Sequence, residues 1–208
     1  YIRSWLASLK QDKLTAKSIN RKISCLKSFF KYHLRLGNLQ STPMWAVITP
    51  KISKRLPEFV KEADMDNMFQ HLEFPDTWRG RTDRLLLLLF YQTGMRLSEL
   101  IGLKENQVDV SKKALKILGK GNKERVVPVS GEIIGLLEAY RNQKRKELEQ
   151  FDDKVLFVLE SGKKLYPKYV YLMVKNYLSQ FTTLNKKSPH ILRHTFATHL
   201  TNNGADLN

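Results

Sequence analysis

The sequence is poor in cysteine, the residue whose disulfides and metal sites commonly stabilise small domains. Its 208 residues contain a single cysteine, Cys25, which excludes an internal disulfide and any cysteine-based zinc finger. Cys25 lies among apolar residues of a predicted helix, and we expect it to be a small core residue. The first residues do not resemble a signal peptide, and the longest apolar run, residues 85–91, is too short to span a bilayer. We therefore expect a soluble, cytoplasmic protein with no membrane partner.

Acidic residues are scarce relative to basic ones. There are 36 Lys and Arg against 20 Asp and Glu, which gives a formal net charge of +16. Such an excess costs stability through self-repulsion, and an extended polyanion is the partner that best offsets it. DNA or RNA is favoured over an anionic membrane. The sequence shows no obvious cluster of three or four carboxylates, and this disfavours a metal-dependent nuclease.

The first long helix is predicted from Thr15, a good N-cap, to about Gly37, a good C-terminal stop. At about 100° per residue, one face of it is apolar, formed by Ile19, Ile23, Leu26, Phe30 and Leu34. The opposite face carries only basic and small hydroxyl residues: Lys17, Arg21, Ser24, Ser28, Lys31 and Arg35. We call these six residues the basic stripe. The basic stripe fits either an ordinary solvated surface or a surface that faces DNA phosphates. Most such stripes are solvated surfaces, but the high net charge of this chain makes the two interpretations equally favoured.

A proline-containing stretch divides the chain. Residues 49–57 contain two prolines and three basic residues without apolar periodicity, and this is typical of an extended linker. The interpretation gives a helical N-terminal domain over 1–48 and a second domain over 58–208. The N-terminal domain is expected to be incomplete, because residues 1–9 read as a helix already in progress.

The second domain is predicted to be mainly α with a small antiparallel sheet, an α+β fold. Its predicted helices cover about 61–72, 76–92, 132–150, 167–181 and 189 onward. Its predicted strands cover about 108–110, 114–118, 124–129 and 155–158, with residues 119–123 as a hairpin turn.

Residues 93–100 form the first motif with chemical potential. A buried helix is predicted to end at Gly94, Arg96 follows at once, and Glu99 lies three residues further on. An arginine at the edge of a core needs a counter-charge, and Glu99 is placed to hold its guanidinium in one orientation. A purely structural ion pair at a helix end explains the same pattern equally well.

Residues 119–128 form the second motif, in which Lys120 lies between two glycines of the predicted turn. Glycine on both sides allows the backbone to approach a ligand closely while one ammonium projects. No G-x-x-x-x-G-K-[ST] pattern is present, so nucleotide binding is disfavoured. Taken alone, a solvent-exposed hairpin tip is the simpler interpretation.

Residues 188–196 form the third motif. Ser188 and Pro189 are favourable at the N-cap and the first position of a helix, which places His190 and Arg193 on one side of its first turns. Free backbone N–H groups at a helix start favour an anion there. A zinc site from His190 and His194 is geometrically possible but has no third ligand. The lone histidines, His71 and His199, are expected to be structural, and His33 is expected to be packed.

Taken in this order, the three motifs resemble those of the tyrosine recombinase, or phage integrase, family, and the last is closest to its XerC/XerD-like subgroup. The resemblance covers nearly the whole chain. It implies a helical DNA-clamping domain over 1–48 and a catalytic domain over 58–208. It implies no cofactor or metal, double-stranded DNA as partner, a homotetramer or heterotetramer on two DNA sites, and association with the nucleoid. The residue roles that it implies are phosphate clamping by Arg96 and Arg193, general acid catalysis by Lys120, acid/base contact by His190, and support of the site by Glu99.

One feature of the family is missing from these residues. The family's nucleophilic tyrosine follows its H-x-x-R box, but all eight tyrosines here precede His190. We therefore expect this chain to be a fragment that lacks the nucleophile and does not cleave DNA by itself. A non-catalytic, sequence-specific DNA-binding protein is the alternative, although such a protein has no reason to keep the three motifs together.

Overall fold

The computed structural model describes residues 1–52, 58–119, 121 and 123–205. The chain divides into two compact units, residues 1–56 and 57–208. Lys120 and residues 53–57, on which part of the sequence interpretation rests, lie outside the described residues. In the part of the chain that is described, no helix is both long and apolar enough to cross a membrane.

The first unit is built on two helices, α1 (Ile2–Gln11) and α2 (Ala16–Arg35). Thr15 caps α2 as predicted, since its hydroxyl accepts a hydrogen bond from the Ser18 amide at 3.2 Å. A small core forms between the helices and the segment after them, with its buried members Leu9, Ile19, Ile23 and Met44. That following segment is also held by polar contacts, since Asn20 donates to the Pro50 carbonyl at 2.8 Å.

The expectation that Cys25 is a core residue is wrong, because Cys25 is exposed. It lies two residues beyond Ile23, which is buried. Two residues rotate the helix by about 200°, so the side chain of Cys25 leaves the apolar face of α2. The prediction was based on the apolar neighbours of Cys25 in the sequence. The helical period, in contrast, places Cys25 away from the apolar face.

Among its described residues, the second unit contains six α-helices, a short 3-10 helix (Glu105–Gln107) and a three-stranded antiparallel sheet in the order β1-β2-β3. The helices are α3 (Glu62–His71), α4 (Trp78–Thr93), α5 (Leu97–Ile101), α6 (Gly131–Glu147), α7 (Pro167–Phe181) and α8 (Pro189–Asn202). The strands are β1 (Val108–Asp109), β2 (Ala114–Leu118) and β3 (Glu124–Pro128). Strands β2 and β3 pair from Ala114 opposite Pro128 to Leu118 opposite Glu124. This confirms the predicted fold class.

The core of this unit surrounds α4, whose run of leucines is buried on nearly every side. A central helix of this kind is apolar all round, as the sequence of residues 85–90 indicated. The predicted strand at 155–158 is wrong. Its residues are buried, but only Val158 makes an isolated bridge, to Lys164. The backbone N–H and C=O groups of this segment instead form hydrogen bonds with Leu103, Lys144 and Trp78. Burial and β-branched composition are therefore not enough to form a paired strand.

The end of α6 is fastened to this irregular segment by Lys144, which is fully buried. Its ammonium donates to the carbonyls of Val155 and Leu156 at 3.0 and 3.2 Å, and it pairs with Glu105 at 2.5 Å. A buried ammonium is tolerated only when its donors are satisfied in this way.

Replacing Lys144 with alanine is expected to lower the free energy of unfolding by about 3 kcal/mol, because it leaves two buried carbonyls and a carboxylate short of a donor. Lys144→Met keeps the volume of the stem and is expected to cost less. Urea denaturation followed by circular dichroism measures both. The control is Lys146→Ala, an exposed site of the same helix, for which a change within about 0.5 kcal/mol is expected. Equal effects at 144 and 146 would refute the role of the buried ammonium.

Candidate active site at the start of helix α8

Parts of the first and third motifs meet in one cleft of about 490 Å³ in the second unit. The residues between α4 and α5, the start of α7 and the first turn of α8 line it. Its lining residues are Met95, Arg96, Leu97, Ser98, Pro167, Tyr171, Ser188, Pro189, His190 and Arg193. Arg96, His190 and Arg193, separated by almost a hundred residues of sequence, therefore share one concave surface.

Gly94 of the first motif contacts the third motif directly. It ends α4 with a left-handed φ of 55°, which favours glycine. A Cβ atom at this position would lie 2.3 Å from the ring of Phe196, so α8 also packs directly on the bare backbone. The Gly94 carbonyl accepts a hydrogen bond from the guanidinium of Arg193. One residue thus sets the start of the first motif and anchors an arginine of the third.

Glu99 holds two arginines through one carboxylate, which is almost fully buried. It accepts from the Arg96 amide at 2.8 Å and from the Arg96 guanidinium at 2.9 Å. It also accepts two bonds from Arg125 of β3, at 2.9 and 2.7 Å. The sequence indicated the contact with Arg96, and the structure adds a bidentate pair that ties the sheet to α5.

These contacts shift the pKa values of the groups involved. Burial alone would raise the pKa of Glu99, but the hydrogen bonds from Arg125 and Arg96 lower it to about 2. The pKa of Arg125 is raised, chiefly by its hydrogen bonds to Glu99. The pKa of Arg193 is lowered by desolvation and then by the nearby charge of Arg96. The site therefore holds more positive charge than Glu99 neutralises.

His190 is exposed in the first turn of α8, where the sequence placed it. Ser188 is the N-cap residue, but its side chain makes no capping hydrogen bond, contrary to the expected cap. The ring of His194 lies 4.9 Å from that of His190, centroid to centroid. Among the described residues, no group of three or more His, Cys, Asp or Glu side chains is placed to hold a metal ion.

The base of the hairpin of the second motif lies next to this ion-pair network. The Gly119 amide donates to the Lys123 carbonyl at 2.8 Å, and a Cβ atom at Gly119 would lie 3.9 Å from a Glu99 oxygen. Gly121 has a φ of 76°. Lys120 falls between these two glycines, and its position stays a prediction from the sequence.

Two residues of the site were missed at the sequence level. Arg125 has the same strand parity as Val127, and both are half-buried, so alternation along β3 carried a signal that an arginine faces inward. Tyr171 lines the cleft from α7, and no spacing in the sequence pointed to it.

The other sequence-predicted positions behave as follows. All six residues of the basic stripe are exposed on α2, although the hydroxyl of Ser24 donates back to the Asn20 carbonyl. His199 is buried: its Nε2 lies 2.9 Å from the Val60 carbonyl and its Nδ1 3.1 Å from the Tyr91 hydroxyl. His71 is exposed at the end of α3, and His33 is half-buried beside the ring of Phe29.

Comparisons with known proteins agree with this combination of fold and cleft. Residues 58–208 match the model of the phage integrase family, and residues 1–37 match that of the phage integrase N-terminal SAM-like domain. The chain therefore belongs to the phage integrase family, the tyrosine recombinases. Within that family it is XerC/XerD-like.

Two relatives illustrate the subgroup. The tyrosine recombinase XerC of Chlorobaculum parvum is 36% identical over 99% of this chain and 67% of its own length. The tyrosine recombinase XerD of Staphylococcus haemolyticus is 38% identical over 99% of this chain and 70% of its own length.

Solved structures show the same fold at lower identity. The XerH recombinase bound to its difH substrate before cleavage gives a TM-score of 0.75 at 24% identity, covering 99% of this chain and 60% of that one. The Tn1549 transposon integrase in complex with circular intermediate DNA gives 0.72 at 20% identity, covering 98% and 72%.

The depressed pKa of Glu99 makes a pH prediction. A carboxyl group whose pKa is lowered in the folded state stabilises the fold above its ordinary pKa, here 4.5, and loses that contribution as the pH falls toward about 2. Glu99→Gln is therefore expected to be less stable than the wild type at pH 6, with a difference that shrinks steadily between pH 4.5 and 2. Chemical unfolding across this pH range measures it.

Glu124→Gln is the matched control, since Glu124 is exposed on the same strand as Arg125. It should change stability little at any pH. A Glu99→Gln deficit that stays constant from pH 6 to pH 2 would contradict the assignment of the low pKa to this carboxylate.

Proposed function

We propose that this protein is a site-specific DNA recombinase that breaks and rejoins DNA strands through a 3′-phosphotyrosyl intermediate, without metal or ATP. The observation that carries the proposal is the single cleft that gathers Arg96, His190 and Arg193 beside the base of the Lys120 hairpin. Such a cleft is complementary to a phosphodiester, which is small, anionic and approached from several sides. The solved XerH and Tn1549 integrase structures contain DNA, and this supports double-stranded DNA as the partner.

The proposed reaction assigns one task to each group. A tyrosine oxygen attacks phosphorus, and negative charge builds on the non-bridging oxygens, where Arg96 and Arg193 share it. The bond from phosphorus to the 5′-oxygen breaks, and Lys120 delivers the proton that makes this oxygen a good leaving group. His190 serves as an acid/base contact to the phosphate. A 5′-hydroxyl from a partner strand reverses the step, so the bond energy is conserved in the ester.

The nucleophile of this reaction is proposed to lie outside the 208 residues, because none of their eight tyrosines follows His190. We infer that these residues supply DNA binding and the phosphate clamp. The intact protein is proposed to act as a homotetramer or heterotetramer on two DNA sites, since exchange of strands requires four cleavages.

The basic stripe is proposed as a DNA-phosphate contact of the first unit, because all six of its residues are exposed on one face of α2. Removing two of its charges, Lys17→Gln with Lys31→Gln, is expected to weaken duplex binding and to reduce the salt dependence of the affinity. Each lost phosphate contact lowers the slope of log K against log salt by about 0.9. Fluorescence anisotropy at several salt concentrations measures both quantities.

The charge-matched control is Lys22→Gln with Lys27→Gln. Both residues are exposed on the same helix but point about 80° and 140° away from the centre of the stripe. An affinity and a salt slope reduced equally by the two double variants would show that net charge, and not the stripe, accounts for binding.

Cleavage tests the arginines in a protein that includes the nucleophile. Arg96→Lys and Arg193→Lys are each expected to slow formation of the covalent adduct by about 10²–10³-fold while retaining most of the affinity for DNA. Lysine keeps the charge but loses the planar fork, and one such donor is typically worth about 3–4 kcal/mol of barrier. Adduct formation on a nicked suicide substrate, resolved by denaturing electrophoresis, is the measurement.

Near-normal rates for either variant would make that arginine structural and sink its catalytic assignment. The 208-residue chain itself is a second control and is expected to form no adduct. If it does, one of its own tyrosines is the nucleophile, and Tyr171, which lines the cleft, is the first to replace with phenylalanine.

A further inference from the structure

We propose that Arg125 is a positioning residue for general acid catalysis: by clamping β3 onto Glu99, it sets where the β2–β3 hairpin presents Lys120. This inference rests on the proposed function, in which Lys120 protonates the leaving oxygen. Arg125 itself does not line the cleft. Its effect on the reaction is therefore exerted through the hairpin.

The Glu99 side of the clamp is held by contacts of its own. Both oxygens of Glu99 accept from Arg125, at 2.9 and 2.7 Å, in the parallel geometry that a guanidinium and a carboxylate favour. Glu99 is itself fixed within α5, since its carboxylate also accepts from the Arg96 amide at 2.8 Å. Glu99 therefore connects strand β3 to helix α5.

The hairpin begins directly on top of this clamp. The Cβ position of Gly119 lies 3.5 Å from a terminal nitrogen of Arg125 and 3.3 Å from the Lys123 carbonyl. The start of the turn therefore lies in van der Waals contact with the ion pair. Lys120 is the next residue, so a shift of the clamp moves the backbone that carries its ammonium.

The described apolar residues next to the turn contribute little packing. Leu118 and Val126, the apolar residues nearest to it, are 47% and 64% exposed. Ile117, which is paired with Arg125, is buried and anchors the strands on the core side. Among the described residues between Ile117 and the turn, the ion pair of Arg125 with Glu99 connects the hairpin to the site.

A positioning role differs from a simple supply of positive charge. Arg125→Lys retains the charge but cannot make the bidentate contact, so it is expected to lose most of the effect. Arg125→Gln loses both the positive charge and the bidentate contact. If the charge alone mattered, the lysine variant would cleave as the wild type does.

The decisive experiment compares two substrates in a protein that includes the nucleophile. One is the ordinary phosphodiester, and the other carries sulfur at the bridging 5′ position, a leaving group that departs without protonation. Arg125→Gln is expected to slow cleavage of the oxygen substrate by about 10²-fold, the typical cost of a displacement of about 1 Å. On the sulfur substrate, Arg125→Gln and Lys120→Ala should both recover near-normal rates, while Arg96→Lys and Arg193→Lys should not.

Lys116→Gln is the matched control, since it removes one exposed positive charge from the neighbouring strand of the same hairpin. It is expected to match the wild type on both substrates. If Lys120→Ala recovers on sulfur and Arg125→Gln does not, Arg125 does not act through the lysine, and this inference alone is overturned. If Lys120→Ala itself fails to recover, the general-acid assignment fails, and the inference that rests on it falls too.

Hydrogen exchange gives a readout that does not depend on cleavage. In the 208-residue chain, Arg125→Gln is expected to accelerate exchange of the Gly119 amide, which closes the hairpin onto Lys123. The Leu156 amide, which donates to the Leu103 carbonyl within the core, should exchange as in the wild type. Unchanged protection at Gly119 would show that the clamp does not hold the hairpin, and acceleration at both amides would indicate general destabilisation instead.

Discussion

The site depends on one buried carboxylate surrounded by guanidinium groups. Glu99 binds Arg96 and Arg125 directly, while the charge of Arg193 lies near enough for the three arginines to influence one another. Like charges at this spacing repel. The ion pairs of Glu99 with Arg96 and Arg125 offset this repulsion, and the Gly94 carbonyl holds Arg193. The pKa of Glu99 is lowered to about 2, so it is ionised at neutral pH.

A second constraint is steric and acts through backbone. Gly94 permits α8 to approach α4 until the ring of Phe196 occupies the space of a side chain. On an adjacent face of α8, the Val60 amide donates to the Thr195 hydroxyl, and the Val60 carbonyl lies 2.9 Å from His199 Nε2. Helix α8, which carries His190 and Arg193, is therefore held at several points before any phosphate arrives. Such preorganisation is what electrostatic catalysis requires.

Much of this arrangement could be predicted from local sequence, and the rest could not for identifiable reasons. The N-cap and period of α2, the helix at 167–181 and the pairing of β2 with β3 follow from patterns within a few residues. The contact of Arg193 with the Gly94 carbonyl and that of Arg125 with Glu99 join residues 99 and 26 positions apart. A single sequence holds no direct signal for such contacts. The prediction of a strand at residues 155–158 was wrong because the hydrogen-bond partners of this segment are mainly side chains and a loop, not a neighbouring strand.

The balance of charge in the site bears on how the proposed reaction is accelerated. The cleft itself is lined by the guanidiniums of Arg96 and Arg193, while Arg125 is paired with Glu99 outside it. A phosphodiester carries one negative charge, whereas attack by an oxyanion at its phosphorus creates a species that carries two. In the proposed reaction the contacts of the two cleft arginines therefore strengthen as the second charge develops, and interactions that strengthen on the way to the transition state are the ones that increase rate. Because Glu99 is tied to Arg96 and Arg125, its loss would not simply raise this positive charge. It would release the arginines from their positions, and the electrostatic advantage would be lost together with the geometry.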